Sequence, residues 1–233
     1  MRSLNTFARL GAIAFACCAA FLSGCVQAKP SIIACDAKLL RVQGPAGTFA
    51  ERLSLFVLPR DDDGDADFGS IDLVHGESGL TWSINIENAM VSIKGKDRWI
   101  GTNAISGPGD GQLPSGSYTV TYNDLAGNET IRAIELIPPR FPARAPVTFR
   151  VNGSNWVVEK NPDCGDFVRT WLFLLDGKSG VLQSWKVPDG TGQQTEGSIE
   201  SLQMMAMQAV AVQCYTENIA GTAGVLLTPV DLR

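Results

Sequence analysis

Oxygen-donor chemistry is concentrated in one run, Asp61-Asp62-Asp63-Gly64-Asp65-Ala66-Asp67. Calcium takes six to eight oxygen ligands, and alternating aspartates in a glycine-containing loop, here Asp61, Asp63, Asp65 and Asp67, can supply several of them. An EF-hand loop also needs glycine at its sixth place and glutamate at its twelfth. Counted from Asp63 those places hold Phe68 and Val74. The run therefore reads first as a solvated hairpin loop whose charges keep a sheet edge from pairing with another molecule, with calcium as the alternative. No other cofactor is expected.

Base and nucleophile chemistry has less to draw on. His75 is the single histidine, set in Val74-His75-Gly76-Glu77, and no serine or cysteine stands in a recognisable nucleophile motif. Phosphate-binding glycine loops and the HExxH pattern are absent from the sequence. The reading is non-enzymatic, with no catalytic residue assigned.

The remaining reactive side chains are six cysteines. Cys17 and Cys18 fall within an N-terminal stretch in which Arg2 and Arg9 precede an uninterrupted apolar run, Leu10 to Phe21. That run is too short for a comfortable permanent span and has the layout of an export signal. It ends in Leu22-Ser23-Gly24-Cys25, which resembles the lipobox of bacterial lipoproteins: a branched apolar residue and two small ones before a cysteine. The resemblance implies cleavage before Cys25, lipidation of its thiol and attachment to a bilayer through acyl chains. One chain holds weakly and two or three hold durably. It also implies an envelope location, the outer membrane being favoured over the inner because Val26, not aspartate, follows the cysteine.

Removal of residues 1–24, which hold two bases and no acid, leaves 17 bases against 24 acids, a formal charge of −7. That sign disfavours nucleic acid as a partner. With Cys25 consumed, Cys35, Cys164 and Cys214 remain, and an exported chain sits where disulfides persist. Cys164 and Cys214 share the second half of the chain and are the preferred pair, with Cys35 to either one also open. A thiolate metal site is not expected, because no two cysteines after Cys25 are close in sequence.

The elements that must position these residues read as strands. Short alternating apolar segments are broken by turn residues throughout, with 24 glycines and 12 prolines in the chain. Strands are expected at 37–42, 53–58, 70–74, 80–86, 118–123 and 130–137. Four prolines between Pro138 and Pro146 exclude a strand there and mark a semi-rigid linker. The expected division is signal peptide 1–24, tether 25–34, a first β-sandwich 35–137, linker 138–146 and a second β-sandwich 147–233.

The two sides of the linker echo each other. Arg52-Leu-Ser-Leu-Phe-Val-Leu58 is answered by Arg169-Thr-Trp-Leu-Phe-Leu-Leu175, Gly76-Glu-Ser-Gly-Leu-Thr-Trp82 by Gly177 to Trp185, and Tyr122-Asn-Asp-Leu-Ala-Gly-Asn128 by Tyr215 to Thr222. Three echoes in one order point to a duplicated unit. Gly116-Ser-Tyr-Thr-Val-Thr-Tyr-Asn-Asp-Leu-Ala-Gly-Asn-Glu-Thr130 resembles the last hairpin of bacterial immunoglobulin-like or fibronectin type III-like domains. Tyr118, Val120 and Tyr122 share one strand face, and Asp124, Gly127 and Asn128 form the turn. The resemblance implies an all-β fold of two immunoglobulin-like sandwiches. One exception is 195–207, where Ile199, Leu202, Met205 and Met207 fall near one helical face, as in a short helix crossing between two sheets.

The expectation drawn from these features is a membrane-anchored lipoprotein acting as a non-enzymatic interaction or structural module of the bacterial envelope. Its partners are the bilayer and a protein or glycan, met through loops or an exposed strand edge. Two alternatives stand beside it: a component of a secretion or pilus assembly, and a calcium- or carbohydrate-binding module using Trp82, Trp99 or Trp156.

Overall fold

A computed structural model describes residues 28–61, 67–188 and 194–232. The described residues of the N-terminal half form strands β1 (Ser31–Gln43), β2 (Phe49–Arg60), β3 (Phe68–His75), β4 (Thr81–Asn85), β5 (Met90–Lys94), β6 (Asp97–Ile105), β7 (Gly116–Asp124) and β8 (Glu129–Leu136). Each strand expected from the sequence in this half is present. β1 begins at Ser31, inside the stretch read as a tether, because Ser31, Ile32 and Ala34 already pair with β2; a bulge at Ile33 resets the alternation so that Cys35, Ala37 and Leu39 face inward.

Two sheets face each other here, β1-β2-β6-β5 and β4-β3-β7-β8. β7 shows why they pack: its burial alternates strictly, with Tyr118, Val120 and Tyr122 inward against Leu53, Leu55, Val57, Ile71 and Leu73. The strand order matches the immunoglobulin arrangement, with β1, β2, β6 and β5 in the places of strands A, B, E and D, and β3, β7 and β8 in those of C, F and G. β4 extends the second sheet beside β3. Tyr118 adds the tyrosine corner of such sandwiches, its hydroxyl donating to the Pro114 carbonyl at 2.6 Å.

The C-terminal half repeats the plan with β9 (Val147–Asn152), β10 (Asn155–Lys160), β11 (Phe167–Leu175), β12 (Val181–Lys186), β13 (Gln194–Ser198), helix α1 (Ile199–Met205), β14 (Ala211–Asn218), β15 (Ala223–Leu226) and β16 (Val230–Asp231). β9-β10-β13 faces β12-β11-β14-β15, again A, B, E against C, F, G with one added strand. The chain is therefore all-β, with two immunoglobulin-like sandwiches. α1 crosses between the two sheets of the second sandwich, capped by the Ser198 hydroxyl accepting from the Ser201 amide. Leu202 is buried and Ile199 packs on the second core, but Met205 at the helix end and Met207 past it are exposed, so the expected apolar face stops at Leu202.

Two of the three sequence echoes fall at equivalent places, the β3–β4 and β11–β12 connections and the β7–β8 and β14–β15 turns. The third does not. Arg52–Leu58 lies in β2, a B strand, whereas Arg169–Leu175 lies in β11, a C strand. Both are buried central strands, which need the same residue types whatever their place in the order.

The sequence gives no sign of how the halves meet. β1 pairs in parallel with β15, Leu39 opposite Ala223 through Val42 opposite Leu226, so that one nine-stranded sheet runs β12-β11-β14-β15-β1-β2-β6-β5, with β16 beside β14. Leu39 belongs to the first core and its partner Ala223 to the second, so both cores sit on the same face of this sheet. Residues 138–146 contain no strand, and Phe141 within them packs against both cores. The Arg41 guanidinium lies 5.2 Å from the Phe141 ring and 5.6 Å from that of Phe49, and donates to the Pro142 carbonyl at 3.0 Å. The linker is thereby pinned into the seam.

Candidate interaction face

With both cores on one face, the other face of the nine-stranded sheet is left to the alternate residues of each strand. On β11, Leu172 and Leu174 enter the second core, which turns Arg169, Trp171 and Phe173 outward. On β14, Val212 and Cys214 point inward and Tyr215 and Glu217 outward; on β1, Cys35, Ala37 and Leu39 point inward and Asp36, Lys38 and Leu40 outward. Phe56 and Trp99 continue the outer row on β2 and β6.

These side chains cover one another. The Tyr215 ring lies 5.6 Å from Phe173 at an interplanar angle of 17° and 5.8 Å from Trp171, with the Lys38 ammonium 5.8 Å from its centroid. Gly224 leaves the space that ring needs, since a Cβ there would lie 2.2 Å from Tyr215 Cε2. The Glu217 carboxylate accepts from Lys38 Nζ at 2.7 Å, from Arg169 Nη2 at 3.0 Å and from the Tyr215 hydroxyl at 3.1 Å. Burial, and then the charge of Glu217, push the Tyr215 phenol far above its ordinary range, so it remains a donor. Tyr215 and Leu40 are buried while belonging to neither core. Across the sheet, Lys94 lies 4.7 Å from the Trp99 ring centroid and pairs with Asp36 at 2.9 Å. With Tyr215 buried beside them, the partly exposed Trp171, Phe173, Phe56 and Trp99 are the aromatic area this face offers between its fixed charges, an arrangement that suits macromolecular contact. Its sequence signal is Trp171-Leu-Phe-Leu174: aromatics on one phase and leucines on the other describe a strand apolar on both sides.

The residues singled out by sequence fall elsewhere. Cys25 lies outside the described residues, as do Asp63 and Asp65. Asp61 and Asp67 converge with Asp124 from the β7–β8 turn, their carboxylate oxygens within 4.8 Å of one another. Burial works against ionisation of Asp124, but hydrogen bonds from the Asn128 side chain and amide, at 2.8 and 2.7 Å, and from the Ala126 and Gly127 amides outweigh it and hold the carboxyl below its ordinary range. Asp124 thus fastens the turn, and three carboxylates supply only part of the shell calcium takes.

The expected pair of Cys164 and Cys214 is not formed: Cys35, Cys164 and Cys214 are all free thiols. Cys214 points into the second core opposite Leu172, while Cys164 precedes Phe167, whose partner on β14 is Asn218. Four residues of strand between Asn218 and Cys214 span about 13 Å, beyond the roughly 7 Å between Cα atoms that a disulfide bridges. Burial pushes the Cys214 thiol up to about 12, against a hydrogen bond with Thr216.

His75 has a structural place. Its Nδ1 accepts from the Ser78 amide at 3.1 Å and pairs with the Ser78 hydroxyl at 2.7 Å, so Nε2–H donates to the Ser115 carbonyl at 3.0 Å. The ring ties the β3–β4 turn to the start of β7. Trp156 is buried in the second core, and Trp82 packs on the first while donating to the Ser106 carbonyl at 2.8 Å; Trp99 alone of the three lies on the outer face. Among the described residues no helix is long and apolar enough to cross a membrane.

No family model and no curated protein matches the chain. Among solved structures it is similar to murine CEACAM1b, at 10% identity over 86% of this chain and 99% of that one with a TM-score of 0.26. It is also similar to domains A168-A170 from titin, at 11% identity over 84% of this chain and 61% of that one with a TM-score of 0.22. Likenesses of that size carry no argument. The immunoglobulin-like assignment stands on the strand order of both halves and on the Tyr118 corner.

Proposed function

We propose that this chain is a lipid-tethered interaction module of the bacterial envelope, held through Cys25 and presenting the outer face of its nine-stranded sheet to a macromolecular partner. The observation that carries the reading is the aromatic row Trp171, Phe173 and Tyr215, kept with Lys38, Arg169 and Glu217 outside both cores. The Leu22-Ser-Gly-Cys25 sequence supports the tether, and the outer membrane is its favoured site. Only five residues separate Cys25 from the first strand residue, Ser31, a reach of about 20 Å. The body then stands close to the bilayer, where a secretion or pilus assembly is one setting for its partner.

A photo-crosslinking side chain placed at Phe173, in cells, is expected to trap discrete partners, while the same group at exposed Lys178 on the β11–β12 turn traps none. Equal patterns at both positions contradict the reading. A glycan partner would use the same rings, and would appear as quenching of tryptophan emission by envelope polysaccharide that Trp171→Ala removes.

A second reading is favoured by the convergence of Asp61, Asp67 and Asp124. Calcium held there would join the 61–67 segment to the β7–β8 turn. A calcium-dependent rise in melting temperature, lost in Asp61→Asn with Asp67→Asn, supports it; identical melting with calcium and with chelator removes it.

A further inference from the structure

The nine-stranded sheet ends at β12 and at β5, and the β5 edge differs from β8, one edge of the facing four-stranded sheet. β8 carries Glu129, Arg132 and Glu135, charges that discourage strand addition. β5, Met90-Val-Ser-Ile-Lys94, has no acid, no proline and no register shift against β6, and exposes Met90 at 49%, Val91 at 52% and Ile93 at 64%. Ile86, exposed at 79%, lies in the short connection between edge strands β4 and β5. Proteins protect such edges unless they use them.

The backbone of β5 is available in a defined register. Lys94 and Asp97 flank the two-residue turn Gly95-Lys96, so the amides of Met90, Ser92 and Lys94 face β6 and those of Val91 and Ile93 face outward. Two donors and their carbonyls stand at the spacing a new strand requires. The turn end of this edge is basic: Lys94, Lys96 and Arg98 against Asp97 and Asp36, in a body with seven more acids than bases after residue 24. Those observations favour an incoming segment that is apolar at alternate positions and acidic at the end beside Lys96.

Resting on the interaction-module reading, we infer that β5 is a strand-addition site for an extended segment of a partner protein, apolar at alternate positions and acidic at one end. The added strand extends the nine-stranded sheet and continues its outer face.

The test uses two labelled ten-residue peptides of alternating valine and threonine, one ending in two aspartates and one in two lysines, titrated into the protein by fluorescence anisotropy. The aspartate peptide is expected to bind saturably and the lysine peptide at least tenfold more weakly. Val91→Pro with Ile93→Pro removes both outward donors, and two exposed side chains with them, while leaving every β5–β6 hydrogen bond in place, so it is expected to keep the wild-type melting temperature and weaken binding at least tenfold. Ile93→Lys, which leaves the backbone intact, checks the result should the prolines perturb folding, and is expected to weaken binding by a similar factor. Equal binding to all variants, equal binding of both peptides, or no saturable binding overturns the inference. Self-association lost in the proline variant also overturns it, by giving the edge to a second copy of the chain. Loss of the Phe173 crosslinks with retained peptide binding would instead strike the outer face and leave the edge standing.

Discussion

Replacing Glu217 by alanine tests the seam that makes one sheet of two sandwiches. The Glu217 side chain is 10% exposed and is shared by Lys38 of β1 and Arg169 of β11, themselves 24% and 36% exposed. Its loss leaves two cations facing each other and takes the acceptor from the Tyr215 hydroxyl. Breaking a fully buried pair costs about 3–5 kcal/mol and an exposed one about 0–1. The intermediate burial here gives about 2 kcal/mol, and the orphaned hydroxyl adds about 1. For a body of this size a loss of about 3 kcal/mol lowers the melting temperature by about 6–12 °C. Calorimetry of Glu217→Ala, Lys38→Met and the double variant measures both the loss and its coupling, expected at about 1–2 kcal/mol between residues in contact. A loss below about 0.5 kcal/mol, or no coupling, would refute the view that this ion cluster holds β1 to the second sandwich.

Three further expectations follow from the same geometry. Native protein treated with iodoacetamide should be modified at Cys164 first and at Cys214 only after unfolding, with mass unchanged by reductant beforehand; a reductant-dependent mass shift would restore the disulfide. Tyr118→Phe should cost about 1–3 kcal/mol by leaving the Pro114 carbonyl unpaired, read as a lower urea midpoint at unchanged slope. Because the folded pKa of Asp124 is depressed, its contribution is full above the ordinary carboxylate range and fades as pH falls through the lowered value. Asp124→Asn should flatten that part of the acid-unfolding profile.

Much of the first sandwich is legible in the residues themselves. Gly116 to Thr130 states its strand, its inward face and its turn, because alternation and turn chemistry are local, and the turn aspartate does what that chemistry requires. The outer face is harder to read. Trp171 and Phe173 look like ordinary core residues until the register shows which side Leu172 and Leu174 occupy. The β1–β15 pairing joins residues 184 positions apart, and no local pattern encodes a partner at that distance. The same limit explains the cysteines: sharing one half of the chain does not bring Cys164 near Cys214 once β11 and β14 fix their register. Asp124 escaped notice as a neighbour of the acidic run for the same reason, since strands β3 to β7 separate them in the chain and only the pairing of β3 with β7, Phe68 opposite Asp124, brings them together.

The tether is the claim on which the envelope setting depends, and intact mass spectrometry of detergent-extracted protein measures it directly. The expected species begins at a lipidated Cys25, with residues 1–24 absent. Retention of residues 1–24, or an unmodified Cys25 at the N-terminus, would contradict it.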